Sequence, residues 1–588
     1  MTELTLFLLA AVVVAVLATV VSLRGRLYAR AAGAAAAAVV CGWWLSIVAP
    51  LLTLALVVAV AGGGFVRFTR TSATVARWGA RSRRKSGVAS TVDIARVASA
   101  AAMRRKAPVV RPSLGGLTRW QRTRVATSAV AIALCRVGAM RVWASVEDVV
   151  LAFGGPRAGK TGWLAGAILD APGAVLTTST RLDLHELTAG LRAAGGRPVW
   201  VFNPAGLGGL DSTVTFDPLS GCTDPVTATE RAEDMIPAAE GDAERWDAQA
   251  RRVLSVLLHA AALLAAPAPA GGVTAALVAE WVADPMAAER ELLAALRRSP
   301  DPGHGEVARQ FIGTNDRTRT SITASIMPAL AWLTSPPAVA ATSGGQQLDV
   351  AELLCERGTV YLLGRHAAHT APLLAALTGY IARESRRLAA HQPGGRLDPP
   401  LTLALDEAAR IAPVPLPDWT GDAGGSGVSI IAAFQSRADV IDRWGATGAA
   451  KVINNAGAIL LFGGTKDDAD LDAWSKLAGE RDEPVTTTDA SGHITSRTVR
   501  RVPVLPPSQL ANLPRGRIVV FTRGMAMVIG RVQMAWQRRD VRTQARAARA
   551  RVAQSAVTGA QGARPAPGGA GGLAPERVWA EATREDRP

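Results

Sequence analysis

The chain has 588 residues, length for roughly three or four units rather than one ordinary domain. Apolar residues make up 49% of it and its mean hydropathy is +0.19, ample for a large core and unusual for a soluble enzyme. A net charge of +17 calls for an anionic partner, nucleic acid or anionic lipid. The four cysteines (Cys41, Cys135, Cys222, Cys355) lie far apart with no CxxC pairing, which argues against a zinc site or a disulfide framework and fits a reducing compartment. The histidines do not cluster, and the nearest pair, His366 and His369, reads as a solvated loop or helix start.

Leu4–Leu23 is an uncharged apolar run long enough to span a bilayer, read as an anchor rather than a removed signal peptide. A second apolar stretch, Ala31–Val66, has Pro50 near its middle, where a hairpin of two short helices could turn. Arg24, Arg26 and Arg30 separate the two runs, and Arg67, Arg70, Arg77, Arg81, Arg83, Arg84 and Lys85 follow them. Placing both basic clusters inside requires three spans with the N-terminus outside; two spans with a basic external loop is the alternative. Either way, everything after Val66 is expected in the cytoplasm of a multi-pass membrane protein. Arg67 to Arg141 carries about seventeen Lys/Arg and one acid, Asp93, as a segment resting on anionic lipid or guiding DNA.

Val149–Phe153 is a strand-type run leading into Gly154-Gly155-Pro156-Arg157-Ala158-Gly159-Lys160-Thr161-Gly162, after which Trp163–Leu169 begins a helical pattern. This is GxxxxGK[ST] in a strand–loop–helix setting, where backbone N–H groups and the helix start meet phosphate. Lys160 is expected on the β- and γ-phosphate oxygens and Thr161 on Mg²⁺. Strands are expected at Ala174–Thr178 and Pro198–Phe202, then helices through 223–343, including Ala248–Leu264 and Val273–Val282, as an all-α insert. Thr359–Gly364 and Leu401–Leu405 resume the strands. The latter ends in Asp406-Glu407, a Walker-B pattern in which Asp406 would hold Mg²⁺ and Glu407 polarise the attacking water. Val428–Phe434 ends in Gln435, placed to sense a γ-phosphate, and Ala458–Phe462 and Ile518–Thr522 complete a mostly parallel α/β sheet.

Three blocks carry a family resemblance: Gly155–Thr161 with Ala171–Ser179 and Val199–Pro204; Gly395–Leu401 through Asp406–Pro413; and Gly424–Ile430 with Phe434-Gln435-Ser436 and Trp444-Gly445. In these blocks and their order the chain resembles the VirD4/TraG class of type IV secretion coupling proteins, especially the form found in actinobacterial conjugative elements. The similarity spans about residues 145–535. It implies a RecA-like P-loop ATPase using ATP and Mg²⁺, assembled as a homo-hexamer, that couples DNA, single-stranded with bound relaxase, or protein cargo to a secretion channel. The insert would take part in substrate recognition. One step departs from the pattern: Thr178-Ser179-Thr180-Arg181-Leu182-Asp183 replaces an Asp-Pro-Lys-like sequence, leaving the roles of that acid and lysine in doubt, although Arg181 could keep the positive charge. Arg317 and Arg319 are the candidates for an arginine acting in trans.

The expected organisation is a transmembrane anchor over 1–66, a basic juxtamembrane segment over 67–144, and the first ATPase part over 145–222. An all-α subdomain follows over 223–343, the second ATPase part over 344–540, and a basic, Gly/Pro-rich, largely disordered tail over 541–588. Two rivals stay open: a double-stranded DNA pump of the FtsK/SpoIIIE kind, and a membrane receptor for protein effectors using nucleotide as a clamp. The absence of a winged-helix pattern at the C-terminus disfavours the first; the water-polarising Glu407 disfavours the second.

Overall fold

In the computed structural model the residues described are Trp43 and 87–547, apart from 238–241, 267–273, 366–368 and 489–493. The chain divides into two compact units, Met1–Arg77 and Trp78–Pro588, and all described elements longer than one residue belong to the second. Apart from Trp43, the expected spans Leu4–Leu23 and Ala31–Val66 lie outside the described residues, as does the tail beyond residue 547.

Helices α1 (Thr91–Val97), α2 (Ala100–Val110) and α3 (Arg119–Arg124) precede a hairpin of β1 (Ala131–Val137) and β2 (Met140–Ser145). Strand and helix then alternate through β3 (Val150–Phe153), α4 (Lys160–Asp170), β4 (Val175–Ser179), α5 (Asp183–Arg192) and β5 (Val199–Phe202). The helices of the insert follow: α6 (Pro225–Met235), α7 (Asp242–Ala265), α8 (Ala275–Ala283), α9 (Pro285–Leu296), α10 (Gly303–Gly313) and α11 (Asp316–Leu330). Short α12 (Pro336–Ala340) and α13 (Val350–Cys355) lead back to β6 (Thr359–Leu363), α14 (Ala371–Ala390) and β7 (Leu401–Leu405). Then come α15 (Ala408–Ile411), α16 (Leu416–Asp422), β8 (Val428–Phe434), α17 (Arg437–Asn455), β9 (Ala458–Phe462) and α18 (Asp468–Ala478). A separate ribbon of β10 (Glu480–Thr488) and β11 (Ile494–Pro503), then α19 (Pro507–Ala511), lead to β12 (Arg517–Thr522) and β13 (Met525–Arg531).

Eleven strands form one sheet in the order β2-β1-β13-β12-β9-β3-β8-β7-β4-β6-β5. The seven from β9 to β5 run parallel, and the other four add on antiparallel at one edge. Every residue of β3, β4, β6, β7 and β8 is buried, as required of strands covered on both faces. Successive side chains divide between two cores. Leu151, Phe153, Leu403, Leu405, Ile430 and Phe434 face the insert, α14 and α17, whereas Val150, Ala152, Ala404, Ile431 and Ala433 face α4 and α5.

Helix α7 is the spine of the insert, and its segment Ala243–Ala265 is, among the described residues, the one helix long and apolar enough to cross a membrane. Its residues Ala250, Leu254, Leu257, Leu258 and Ala261 are buried against the other insert helices, so its apolarity is that of a core helix. The insert is pinned to the sheet through α6 and α14. There the buried Asp234 accepts from both Nη atoms of Arg383, at 2.6 and 2.7 Å, and Arg387 pairs with Glu230 at 2.7 Å.

One boundary moves. The stretch over 67–144 was expected as a basic juxtamembrane segment, yet β1 and β2 are strands of the main sheet, β1 pairing with β13. Several of its cations are tied down: Arg111 pairs with Asp398 at 2.6 Å, Arg104 donates to the Val125 carbonyl and Arg122 to the Leu117 carbonyl. The folded body therefore starts well before residue 145. At the other end the last described turns, 539–547, are helical.

Candidate functional site

The loop between β3 and α4 is shaped by close backbone approaches. A Cβ on Gly155 would lie 2.8 Å from the Gly464 carbonyl oxygen, and Gly159 has φ +100°, the left-handed region open to glycine. Arg157 also adopts positive φ, at 60°. The turn aims the start of α4 across the C-terminal ends of the strands, where a helix N-terminus favours negative charge. Lys160 is buried at the first position of α4, and its ammonium donates to the carbonyls of Gly154 and Gly155, the latter at 3.1 Å. Burial holds its pKa below the usual lysine value, while Asp406, Glu407 and Asp439 pull the other way.

Thr161, Asp406, Glu407 and Gln435 come together opposite this loop. In the sheet β8 lies between β3 and β7, so Gln435 stands between the loop and the two acids. The Thr161 hydroxyl donates to Asp406 Oδ2 at 3.3 Å, and Thr178 Oγ1 on β4 donates to the Asp406 carbonyl at 2.9 Å. Burial, reinforced by the neighbouring Glu407 carboxylate, pushes Asp406 up to about 7 against the pull of Lys160. Glu407 caps α15 in the left-handed region, φ 48° and ψ 46°. That conformation costs a non-glycine residue about 1–3 kcal/mol and is typical of functional positions. Gln435 Nε2 donates to Glu407 Oε1 at 3.2 Å, which orients the carboxylate.

Two contributors were not singled out from the sequence. Asp439 accepts from the backbone N–H groups of Gln435 (3.0 Å) and Ser436 (2.9 Å), and pairs with Arg410 at 2.9 Å, so it sets the turn that presents Gln435. Its signal was readable: Ser436-Arg437-Ala438-Asp439 is a capping box directly after a strand. Asp183, at the start of α5, lies close enough for its charge to raise Asp406, and its own carboxyl is raised, by burial first and by Glu407 among the lesser causes. The acid of the departing Thr178–Asp183 step thus belongs to the same electrostatic cluster, while Arg181 is exposed.

The two candidate arginines stand apart from this cluster, at the N-terminus of α11 in the insert. Arg319 Nη1 donates to the Ile312 and Thr314 carbonyls, both at 2.9 Å, and Nη2 pairs with Asp316. Its guanidinium closes the C-terminus of α10 and is committed to that work. Arg317 is exposed.

The arrangement can do definite chemistry. Thr161 and Asp406 offer hard oxygen donors at adjacent positions, the donor type that Mg²⁺ takes. The glycine loop and buried Lys160 form a phosphate cradle, and Glu407 held by Gln435 can orient and deprotonate a water. A strand–loop–helix cradle with acids at the end of a neighbouring strand defines a P-loop nucleoside-triphosphatase fold of the RecA-like kind.

Comparison with known proteins narrows the class. The family model described as the TraM recognition site of TraD and TraG matches residues 400–515, which include Asp406, Glu407 and Gln435. The fold is that of the bacterial conjugative coupling protein TrwBdeltaN70 in an unbound form, at 18% identity over 69% of this chain and 90% of that one, with a TM-score of 0.52. TrwB in complex with ADP and Mg²⁺ matches at 18% identity and a TM-score of 0.48, over 66% and 86% of the two chains. VirB4 of Thermoanaerobacter pseudethanolicus matches at 13% and 0.40, over 69% and 96%. No curated protein matches the chain. Over residues 400–515 the chain is thus similar to TraD and TraG, and its fold is shared with a conjugative coupling protein.

Proposed function

We propose that the chain is a membrane-anchored ATPase motor that couples DNA, single-stranded and relaxase-bound, or protein cargo to a type IV secretion channel at the bacterial inner membrane, working as a homo-hexamer. The observation that carries the ATPase reading is the convergence of Lys160, Thr161, Asp406, Glu407 and Gln435 at the ends of β3, β7 and β8. The family match supports the coupling role, and its description as a TraM recognition site supports a TraM-like partner for the exposed parts of 400–515.

In this reading the loop N–H groups and Lys160 would hold the β- and γ-phosphates of ATP, and Thr161 and Asp406 would hold Mg²⁺. When bound there, the ion supplies positive charge against the phosphate oxygens. Glu407 takes a proton from the attacking water, and Gln435 keeps that carboxylate aimed. Exchange of the Gln435–Glu407 hydrogen bond for one to the γ-phosphate gives a direct way to report nucleotide state to β8 and α17. Arg317 is the residue left to serve as a trans arginine.

The test is hydrolysis by the full-length protein in nanodiscs, with and without single- and double-stranded DNA. Glu407→Gln should retain nucleotide binding and lose at least ~10²-fold in turnover; Lys160→Ala should lose both. Stimulation by single strands supports the conjugative motor. Stimulation by duplex alone moves the reading to the FtsK/SpoIIIE kind, and turnover indifferent to DNA moves it to a protein-cargo receptor.

A further inference from the structure

The face of α4 that carries Gly159 and Gly162, one helical turn apart, is covered by chain from the far end of the sequence. A Cβ on Gly159 would lie 2.4 Å from Met534 Cε, and one on Gly162 would lie 2.3 and 2.4 Å from Cζ3 and Cη2 of Trp536, with Met534 Sδ at 3.2 Å. The thioether and the indole ring therefore rest directly on the glycine backbone of the first turn, beside Lys160 and Thr161.

This strap is firmly held. Ala535 is fully buried and Met534 is 7% exposed. Arg538 Nη1 donates to Asp170 Oδ1 at 2.8 Å and to the Gly166 carbonyl at 3.3 Å, fixing the segment to the other end of α4. Gln537 Oε1 accepts from the Met534 N–H at 3.2 Å. Trp536 packs against the core and is partly exposed. A rigid, partly open aromatic surface thus stands beside the phosphate cradle, next to the residue that follows the GKT triplet.

We propose that Trp536, backed by Met534, is the platform on which the purine base of a nucleoside triphosphate rests; this builds on the reading of the loop as a nucleotide site. The chemistry fits an indole face and a polarisable sulfur, both of which accept a flat heteroaromatic ring through dispersion and stacking. The strap brings no charged group to that surface, since Arg538 is spent on α4, so the platform grips adenine and guanine alike. It also makes the fit of the last described segment part of the nucleotide site.

The experiment uses the full-length protein in nanodiscs with Mg²⁺ and compares two probes, ADP and inorganic tripolyphosphate, by equilibrium dialysis. Trp536→Ala should weaken ADP by ~5-fold or more while leaving tripolyphosphate unchanged, and Trp536→Phe should recover most of the loss. Photolabelling of the parent protein with an azidoadenine nucleotide, which needs no variant, should modify the peptide containing residues 534–538. The proposal is overturned if Trp536→Ala shifts both probes equally or neither, or if the label lands elsewhere. Binding of tripolyphosphate that survives Lys160→Ala would instead remove the underlying nucleotide reading, and the platform with it.

Discussion

Asp406 concentrates the conflict at the centre of the site: a carboxylate buried beside another carboxylate, offset in part by Lys160 and the Thr161 hydroxyl. Its pKa of about 7 lies above the ordinary value of 3.8, so the folded chain binds this proton more readily than the unfolded chain. Stability therefore falls as pH rises from about 4 to about 7 and stays lowered above that. Asp406→Asn removes the cost while keeping an acceptor for Thr161. Without divalent cations it should unfold at higher denaturant than the parent at pH 8, by up to about 4 kcal/mol, with the gain gone near pH 4. Equal stability of the two proteins at pH 8 would show that the carboxylate bears no such burden. At this scale the sequence was informative where chemistry is local. GKT and the Asp-Glu pair after a strand name their own partners. Asp183 was not named, because its role comes from which strand ends face one another; Asp439 was not named although its capping box is local. The fate of Arg319 is set by the two carbonyls it meets, which no spacing rule contains.

The parallel strands and the insert helices stand in the sequence as apolar runs and helical periodicity, and β7, β8 and β9 have the bounds expected of them. The hairpin β1–β2 escaped notice because Arg136 and Arg141 interrupt it within a stretch dominated by basic residues. Its pairing partner, β13, lies at the far end of the chain. Long-range pairing of this sort leaves no local trace. The joint between α6 and α14 was equally invisible, since its ion pair joins Asp234 to a residue on a helix beyond the insert. Burial pushes Asp234 up to about 8 while the Arg383 fork pulls it down, so removing the fork leaves a buried acid without its cation. Arg383→Ala should cost about 3–5 kcal/mol in equilibrium unfolding, and pairing Arg383→Met with Asp234→Leu should restore much of it. If the single variant unfolds with the parent, this ion pair does not hold the insert to the sheet.

A charge of +17 over the whole chain is not spread evenly in what it can do. Among the cations preceding the loop, Arg104, Arg111 and Arg122 are committed to carbonyls or to Asp398, whereas Lys106 and Arg119 are exposed. If the chain grips DNA through phosphates, log affinity should fall linearly with log salt, by ~0.7 per phosphate contact on single strands and ~0.9 on duplex. Neutralising Lys106 and Arg119 together should flatten that line by up to two contacts' worth; a slope that stays the same places the DNA path elsewhere. Arg111→Ala should leave the slope alone and lower stability. The pairing of β1 with β13 also has a consequence for biosynthesis. About 390 residues separate Val137 from Met525, so at ordinary ribosomal speeds of 5–20 residues per second the edge of β1 waits ~20–80 s for its partner. During that interval a strand edge stands open to other nascent chains, and the antiparallel side of the sheet closes only once β13 has been made.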